Sequence, residues 1–433
     1  MPSNAQNGWR EAVDKPPYVP LEDVDLVDLD RFAGPEAWGM LDTLRKESPV
    51  HWQRETDGGS GFWAVTRHAD ICEVDKDPET YTSTGFVNLE EVDEDLREAR
   101  RSILEMDGLR HRALRKLISR EFSRPNLMRN YEALLRDITR TTVDAALAKG
   151  EFDFVEDVSA DFPIQVLARL LDVPQERTGQ LIDWGNEIIG FSDPEHAKIL
   201  ISDAASEQYK HLPFRSPVSQ EVFDYGRELA AIRKGGDGTD LVSQLVNKIP
   251  EDGQAMSASE YDSYFLLLVV AGNETTRHTI THSMLALLEH PEQLAKLQAD
   301  PSLIPDAVEE FLRWASPVYH FRRTATRDVE LGGQTIKEGE KVVMWFASGN
   351  RDEDVFDDPY AFDVTRRDID HVTFGKGSPH LCMGNNLARM EIRLMFEELI
   401  PRLASIELNG EVRRVRSNFV NGIKTLPVKV TTH

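Results

Sequence analysis

From Ser257 to Pro291 the chain keeps a helical pattern for about 34 residues, roughly 50 Å of rod at 1.5 Å per residue. A rod of that length crosses a whole domain, so the rest of the chain has to pack around it. Ser257 and Glu260 have the spacing of a capping box at its start. The stretch Phe265–Val270 is apolar on every side, which predicts a buried midsection. Ala271-Gly272-Asn273-Glu274-Thr275-Thr276 follows directly. A polar cluster halfway along a buried helix is costly unless it is used. Gly272 removes a side chain and opens a groove, and Thr275 can bond back to the carbonyl of Ala271 and loosen the helix there. An acid beside an alcohol at such a point can relay protons into a buried site. The plain alternative is a polar patch satisfied within the core.

Other segments with apolar residues at helical spacing are 108–122, 127–149, 160–190, 216–232 and 385–400. Three hairpins are expected. One spans 50–66 with Asp57-Gly58-Gly59 as its turn, and one spans Val329–Phe346 turning at Gly332-Gly333. The third lies near the end, with Asn409-Gly410 as its signal. Pro16, Pro17 and Pro20 make residues 1–25 an extended arm. Charge and Pro/Gly breaks between Glu207 and Asp240 suggest part of a lid. The fold class is therefore mainly α with small β-sheets (α+β). With no repeat and no long linker, residues 1–433 are read as a single catalytic domain.

Against 50 basic side chains stand 75 acidic ones, for a net charge of −25. This argues against a nucleic-acid-binding body and against a protein lying on an anionic membrane. No stretch has the length and apolarity of a membrane span, and the first residues lack the pattern of a signal peptide. The expectation is a cytoplasmic monomer. Two cysteines, Cys72 and Cys382, are too few for a disulfide framework or a thiolate zinc site. Cys72 reads as a small buried hydrophobe.

Cys382 sits differently, at the end of Phe374-Gly375-Lys376-Gly377-Ser378-Pro379-His380-Leu381 and just before Met383-Gly384. The glycines and the proline keep this segment out of regular structure and let the backbone approach something flat and large. A helical pattern begins right after Cys382, where free N–H groups and the helix dipole favour a thiolate. A Gly-rich turn before a helix is the simpler reading of the same residues. Glu310 and Arg313 fall on one helix face as an ion pair. If buried, that pair needs a further partner, and the loop around Arg366 is the candidate.

Together these motifs resemble those of the cytochromes P450 over essentially the whole length of the chain. The Gly-rich loop resembles the family's Cys-ligand loop, and Ala271–Thr276 its oxygen-activating helix. Glu310, Arg313 and Arg366 match its structural triad. Met106-Asp107 with His111 and Arg115 is similar to the segment that holds haem propionates, as are Arg323 and His380. The resemblance implies the cytochrome P450 fold, a helix-rich triangular body, and haem b held by Cys382 as axial ligand. Phe374, Gly375, Gly384, Ala271 and Gly272 would lie against the haem, and protons would pass through Thr275 with Glu274 behind it. It further implies a monooxygenase that inserts one atom of O₂ into a C–H bond with NAD(P)H-derived electrons. The chain carries no flavin or iron–sulfur domain, so those electrons are expected from a ferredoxin and its reductase. That donor is expected to dock on the cysteine side near Arg110, Arg112, Lys116, Arg120 and Lys376. A pocket for a hydrophobic small molecule is expected from Phe86, Val87, Ile188, Ile189, Phe265, Val269, Ala271, Val318, Tyr319, Phe419 and Val420, with His320 or Arg322 as a polar contact.

Two departures from the family pattern stand out. The loop carries one extra residue between Phe374 and Cys382, at Ser378-Pro379, and Gly108-Leu109 replace the prolines usual after Asp107. The extra loop residue, the VAGNETTR and FRRTATRD strings and the tail Asn421-Gly422-Ile423-Lys424 look most like bacterial steroid side-chain hydroxylases. A steroid or terpenoid substrate follows. A peroxygenase, or a haem-based sensor or binding protein, are the alternative readings. The acid–alcohol pair speaks against both.

Overall fold

The structure is a computed structural model that describes residues 15–55 and 58–433. Residues 1–14 of the expected arm and Asp57 of the first turn lie outside the described residues. The helices that build the body are α1 (Glu36–Glu47), α2 (His68–Lys76), α3 (Gly108–Lys116), α4 (Glu132–Leu147) and α5 (Asp161–Leu171). They continue with α6 (Thr178–Ile189), α7 (Val218–Arg233), α8 (Ala258–Glu289), α9 (Ile304–Ala315) and α10 (Asn385–Leu399).

Helix α8 is the long rod, 32 residues opened by the Ser257/Glu260 capping box. Its sides are buried for most of its length, because α5, α6, α7, α9 and α10 all pack on it. Close approach is built in on two faces. A Cβ on Gly226 of α7 would meet Phe265 at 2.7 Å, and one on Gly272 would meet Leu167 of α5 at 3.4 Å. Thr275 Oγ1 donates to the Ala271 carbonyl at 2.9 Å as expected. The helix nevertheless runs through this point unbroken, so the predicted loosening is absent.

Two predicted helices are divided. The 160–190 segment breaks after α5, where Asp172 takes φ +53° and Val173-Pro174 follow, because a residue before proline is pushed out of the helical region. The 127–149 segment breaks at Tyr131, between a short helix Arg124–Asn130 and α4.

The strands β1 (Val50–Gln53), β2 (Phe62–Val65), β3 (Tyr81–Thr82), β4 (Glu151–Asp153), β5 (His320–Ala325) and β6 (Val329–Leu331) come first. β7 (Gln334–Ile336), β8 (Lys341–Trp345), β9 (Leu403–Leu408), β10 (Arg413–Arg414), β11 (Ile423–Thr425) and β12 (Pro427–Thr432) complete the set. The main sheet runs β1-β2-β8-β5-β3, with β2 and β8 parallel. The first hairpin forms as β1 and β2, with Gly58 at φ +86°. The second closes at Gly332-Gly333 as β6 and β7, but β8 leaves it to pair with β2 and β5. The third does not form across Asn409-Gly410. There β9 pairs with β12 from the end of the chain, and β10 with β11. The 207–240 segment is two short 3-10 turns followed by the packed helix α7, not one irregular lid.

Candidate active site

The Cys loop is held from two sides. Gly375 (φ +75°) and Gly377 (φ +70°) adopt a left-handed backbone. A Cβ on Gly375 would sit 2.8 Å from Asp75 Oδ2, and one on Gly377 2.8 Å from Lys76 Cε, so α2 admits nothing larger. Asp75 accepts from the Lys376 N–H at 3.0 Å with one oxygen and pairs with Arg323 at 3.0 Å with the other. Nothing in the sequence singled out Asp75, which lies on an ordinary amphipathic helix. The extra loop residue is absorbed in a turn. The Leu381 N–H donates to the Ser378 carbonyl, and Ser378 Oγ accepts from the His380 N–H. The Cys382 N–H donates to the Phe374 carbonyl at 2.9 Å, which carries the sulfur to the mouth of α10. Arg389 lies over the Phe374 ring at 4.7 Å.

Cys382 and Thr275 open on one cavity of ≈ 240 Å³, walled by the Cys loop, the start of α10 and one face of α8. That face is Tyr264, Leu267, Leu268, Ala271, Gly272, Thr275, Thr276 and Thr279, a stripe at i, i+3, i+4, i+7 spacing. Phe265 and Val269 are therefore off the wall. Phe265 packs against Tyr225 and Tyr261 instead. Of the other expected pocket residues, Val87, Ala271 and Val318 line the cavity, joined by Ile103, Leu104, Pro163, Leu167, Phe321 and Phe346. Phe86, Ile188, Ile189, Tyr319, Phe419 and Val420 are buried but are not part of this wall. Tyr319 donates to Asn421 Oδ1 and packs on Phe32, Phe86 lies under Arg100, and Phe419 stacks edgewise on His320. Neither His320 nor Arg322 reaches the wall. The His320 ring meets the Asn418 carbonyl and Arg322 donates to the Glu90 carbonyl.

Glu274 faces away from the cavity, toward α6. It contacts Arg277 at 3.2 Å and His278 at 3.3 Å, and a Cβ on Gly185 would meet its carboxylate at 3.2 Å. Burial alone would raise its pKa, but the Arg277 charge and the His278 bond outweigh that and hold it at about 2. A second buried acid, Glu391 on α10, does line the cavity, and the sequence reading passed it over. Burial pushes its carboxyl well above the usual carboxylate range, against a bond from Thr276.

The rim is basic. Arg115, Arg323 and His380 line the cavity. His380 is anchored by Asp107 at 3.0 Å, whose other oxygen accepts from Thr82 and from the Ser83 N–H. His111 is buried, stacked on His380 at 4.1 Å, and lies behind the wall rather than in it. Burial and the neighbouring His380 and Arg115 charges push its pKa down to about 3, so it is neutral. Among the described residues no carboxylate pairs with Arg115, and its guanidinium donates only to the Leu381 carbonyl. Cys382 has the opposite problem. Burial raises its pKa, and the Gly384 N–H with the Arg115 and Arg389 charges only partly offset this. A cation bound at the sulfur would favour the thiolate further. A flat metal macrocycle with acidic side groups meets both demands, putting a cation at the sulfur and carboxylates at the rim.

Behind this wall Glu310 and Arg313 form a two-bond pair at 2.7 Å, both fully buried, with Arg366 at 3.4 Å from Glu310. Arg313 also donates to the Asn350, Pro359 and Ala361 carbonyls, which pins the strandless stretch ahead of the Cys loop.

A long central helix over a Gly-rich cysteine loop, with a buried Glu-Arg-Arg cluster behind, defines a haem-thiolate protein. The chain matches the family model "Cytochrome P450" over residues 58–428 and belongs to that family, whose members are monooxygenases using haem b, O₂ and NAD(P)H-derived electrons. It is 37% identical over 424 residues to a methyl-branched lipid omega-hydroxylase of Mycobacterium tuberculosis, covering 95% of this chain and 96% of that one. It is 37% identical over 429 residues to a steroid C26-monooxygenase of Mycolicibacterium smegmatis, covering 96% and 95%. A Mycobacterium marinum cytochrome P450 solved in complex with pseudoionone superposes with a TM-score of 0.83 at 36% identity, covering 95% of this chain and 99% of that one. Among the described residues no helix is long and apolar enough to cross a membrane.

Proposed function

We propose that this enzyme hydroxylates an aliphatic carbon of a bulky hydrophobic molecule, a steroid, terpenoid or branched lipid, with electrons from a ferredoxin and its reductase. Residues 1–433 act as one cytoplasmic catalytic unit. The observation that carries the reading is that Cys382 and Thr275 line one cavity whose lining is otherwise mostly apolar.

Cys382 would hold the haem iron through its thiolate, and Arg115, Arg323 and His380 would hold the propionates. Phe374, Gly375, Gly384, Ala271 and Gly272 would lie against the haem. Bound there, haem supplies the oxidising chemistry, with the thiolate favouring O–O cleavage. The Thr275 hydroxyl is the group that can hand a proton into the cavity. Its own hydrogen rests on the Ala271 carbonyl, so it would deliver by turning that hydrogen into the cavity and taking a replacement from water. Glu274 stands one residue behind as a fixed anion that organises this turn. Val87, Ile103, Leu104, Leu268, Val318 and Phe321 exclude water and bind substrate by apolar burial, worth about 25 cal/mol per Å². The two curated relatives named above act on a lipid and a steroid, which supports the same class here.

The donor would dock on the Cys382 side. The basic group expected there is partly neutralised. Arg110 pairs with Asp252 and Glu260, Lys116 with Glu251, and Lys376 with Asp370. Arg112 and Arg120 are exposed, as are Leu109 and Leu381, and among the described residues neither arginine has an ion pair.

The test is titration of holoenzyme with sterols, terpenoids, branched fatty acids and methoxybenzoates, followed by turnover. Spectral displacement of iron-bound water and ferredoxin-dependent product from the first three classes are expected. Turnover confined to the aromatics overturns the substrate reading. Equal product with peroxide alone identifies a peroxygenase, and no product under either condition a sensor.

A further inference from the structure

Tyr264 stands on the cavity face of α8, about two turns before Gly272, and is 2% exposed. Its phenolic oxygen is buried and has no hydrogen-bond partner in the described structure. A buried hydroxyl without an acceptor is costly, so one such group on a cavity wall marks where an acceptor belongs. The Arg115 guanidinium, on the same cavity wall, acts electrostatically on that phenol, and Tyr264 acts in turn on Arg115. Arg115 has the same deficit. It is a half-buried cation with no carboxylate partner among the described residues, and its one protein acceptor is the Leu381 carbonyl. Two donors on one wall, a phenol without a partner and a guanidinium without a carboxylate among the described residues, define an acceptor that is anionic and accepts more than one bond. A carboxylate has that chemistry.

We infer that Tyr264 is a cofactor-binding residue, its phenol donating to the same haem carboxylate that Arg115 holds. The inference rests on the reading of the cavity as the haem chamber. It adds to that reading a donor from the long helix, so that α8 and α3 grip one propionate between them. Tyr261, one turn earlier, shows that phenols on this helix otherwise find partners, since its hydroxyl donates to the Gly226 carbonyl on α7 at 2.8 Å.

Tyr264→Phe removes the hydroxyl and keeps the ring, so folding and cavity shape are preserved. On ferric holoenzyme without substrate, haem transfer to apomyoglobin is timed and the propionate bending bands are recorded by resonance Raman. Loss of a charge-assisted bond predicts release roughly tenfold faster and a shift of one propionate band. Tyr261→Phe should change neither. Unchanged release and unmoved bands in Tyr264→Phe overturn the inference, while a wild-type protein that takes up no haem overturns the underlying reading instead. A substrate carboxylate is the other acceptor of this chemistry. If Tyr264→Phe weakens binding of a fatty acid but not of the matching alcohol, with propionate bands unmoved, the phenol belongs to a substrate subsite and the cofactor assignment is wrong.

Discussion

Each of the two cysteines has a distinct environment, and single substitutions separate them. Cys382→Ser should abolish the thiolate signature of the ferrous carbon-monoxide complex. Cys72→Ser should leave it intact, because Cys72 is buried beside His68 with its thiol pKa raised by that burial. A persisting signature in Cys382→Ser would refute the ligand assignment. Thr275 is the only one of the acid–alcohol pair on the cavity wall. Thr275→Ala should keep NAD(P)H consumption but divert electrons to peroxide or water, measured as the ratio of product to cofactor oxidised. Unchanged coupling would remove Thr275 from proton transfer. Glu274 titrates as an anchor. Its folded pKa of about 2 lies below the ordinary carboxylate value of 4.5, so its stabilisation is present above pH about 4.5 and fades as pH falls through about 2. Glu274→Gln should lower stability by roughly 3–5 kcal/mol at neutral pH, since it leaves Arg277 buried and unpaired. Denaturation midpoints of the two proteins should stay a constant distance apart from pH 8 to 5 and converge below that. A gap that widens toward acid would contradict the assignment.

At the scale of elements, the Glu310–Arg313–Arg366 cluster fixes how α9 meets the stretch leading to the Cys loop. Both Glu310 and Arg313 have no exposed surface, and three backbone carbonyls complete the guanidinium. Removing one partner of such a pair costs about 3–5 kcal/mol. Glu310→Ala should therefore yield little folded, haem-loaded protein, read from expression and the Soret-to-protein absorbance ratio. Normal loading and thermal stability would show the cluster to be dispensable. Helix α8 shows a second lesson at this scale. Its apolar midsection reads the same on every side, so the sequence marks it as buried without saying which residues face the cavity. Packing of α7, through Gly226, against Phe265 on one side and of α5, through Leu167, against Gly272 on another fixes the rotation.

For the whole molecule, a net charge of −25 sets the background against which the proposed acidic donor would approach. With Arg110, Lys116 and Lys376 already paired, Arg112 and Arg120 carry what attraction there is. First-electron transfer from a ferredoxin should slow as ionic strength rises, and further when Arg112 is reversed to Glu. Reversal of Lys116 should matter less, because Glu251 neutralises it. A rate indifferent to salt and to both reversals would place docking elsewhere or make it apolar, through Leu109 and Leu381.

What the sequence determined by itself is local or spaced along one element. The capping box at Ser257, the glycines before Cys382, the Glu310/Arg313 pair and the turn at Gly332-Gly333 each depend on neighbours within a few residues, and each formed as read. Only the tertiary structure decided the rest. Asp75 became a clasp because α2 packs under a loop three hundred residues away. Glu274 turned outward, and Thr275 inward, because adjacent helix residues differ by about 100° and neighbouring helices choose the phase. Ile188, Tyr319 and Phe419 went to the core rather than the pocket because apolar side chains satisfy either place equally well. The strand before Asn409-Gly410, β9, paired with β12, and the strand after it, β10, with β11, because their hydrogen bonds needed partners that turn chemistry alone does not supply.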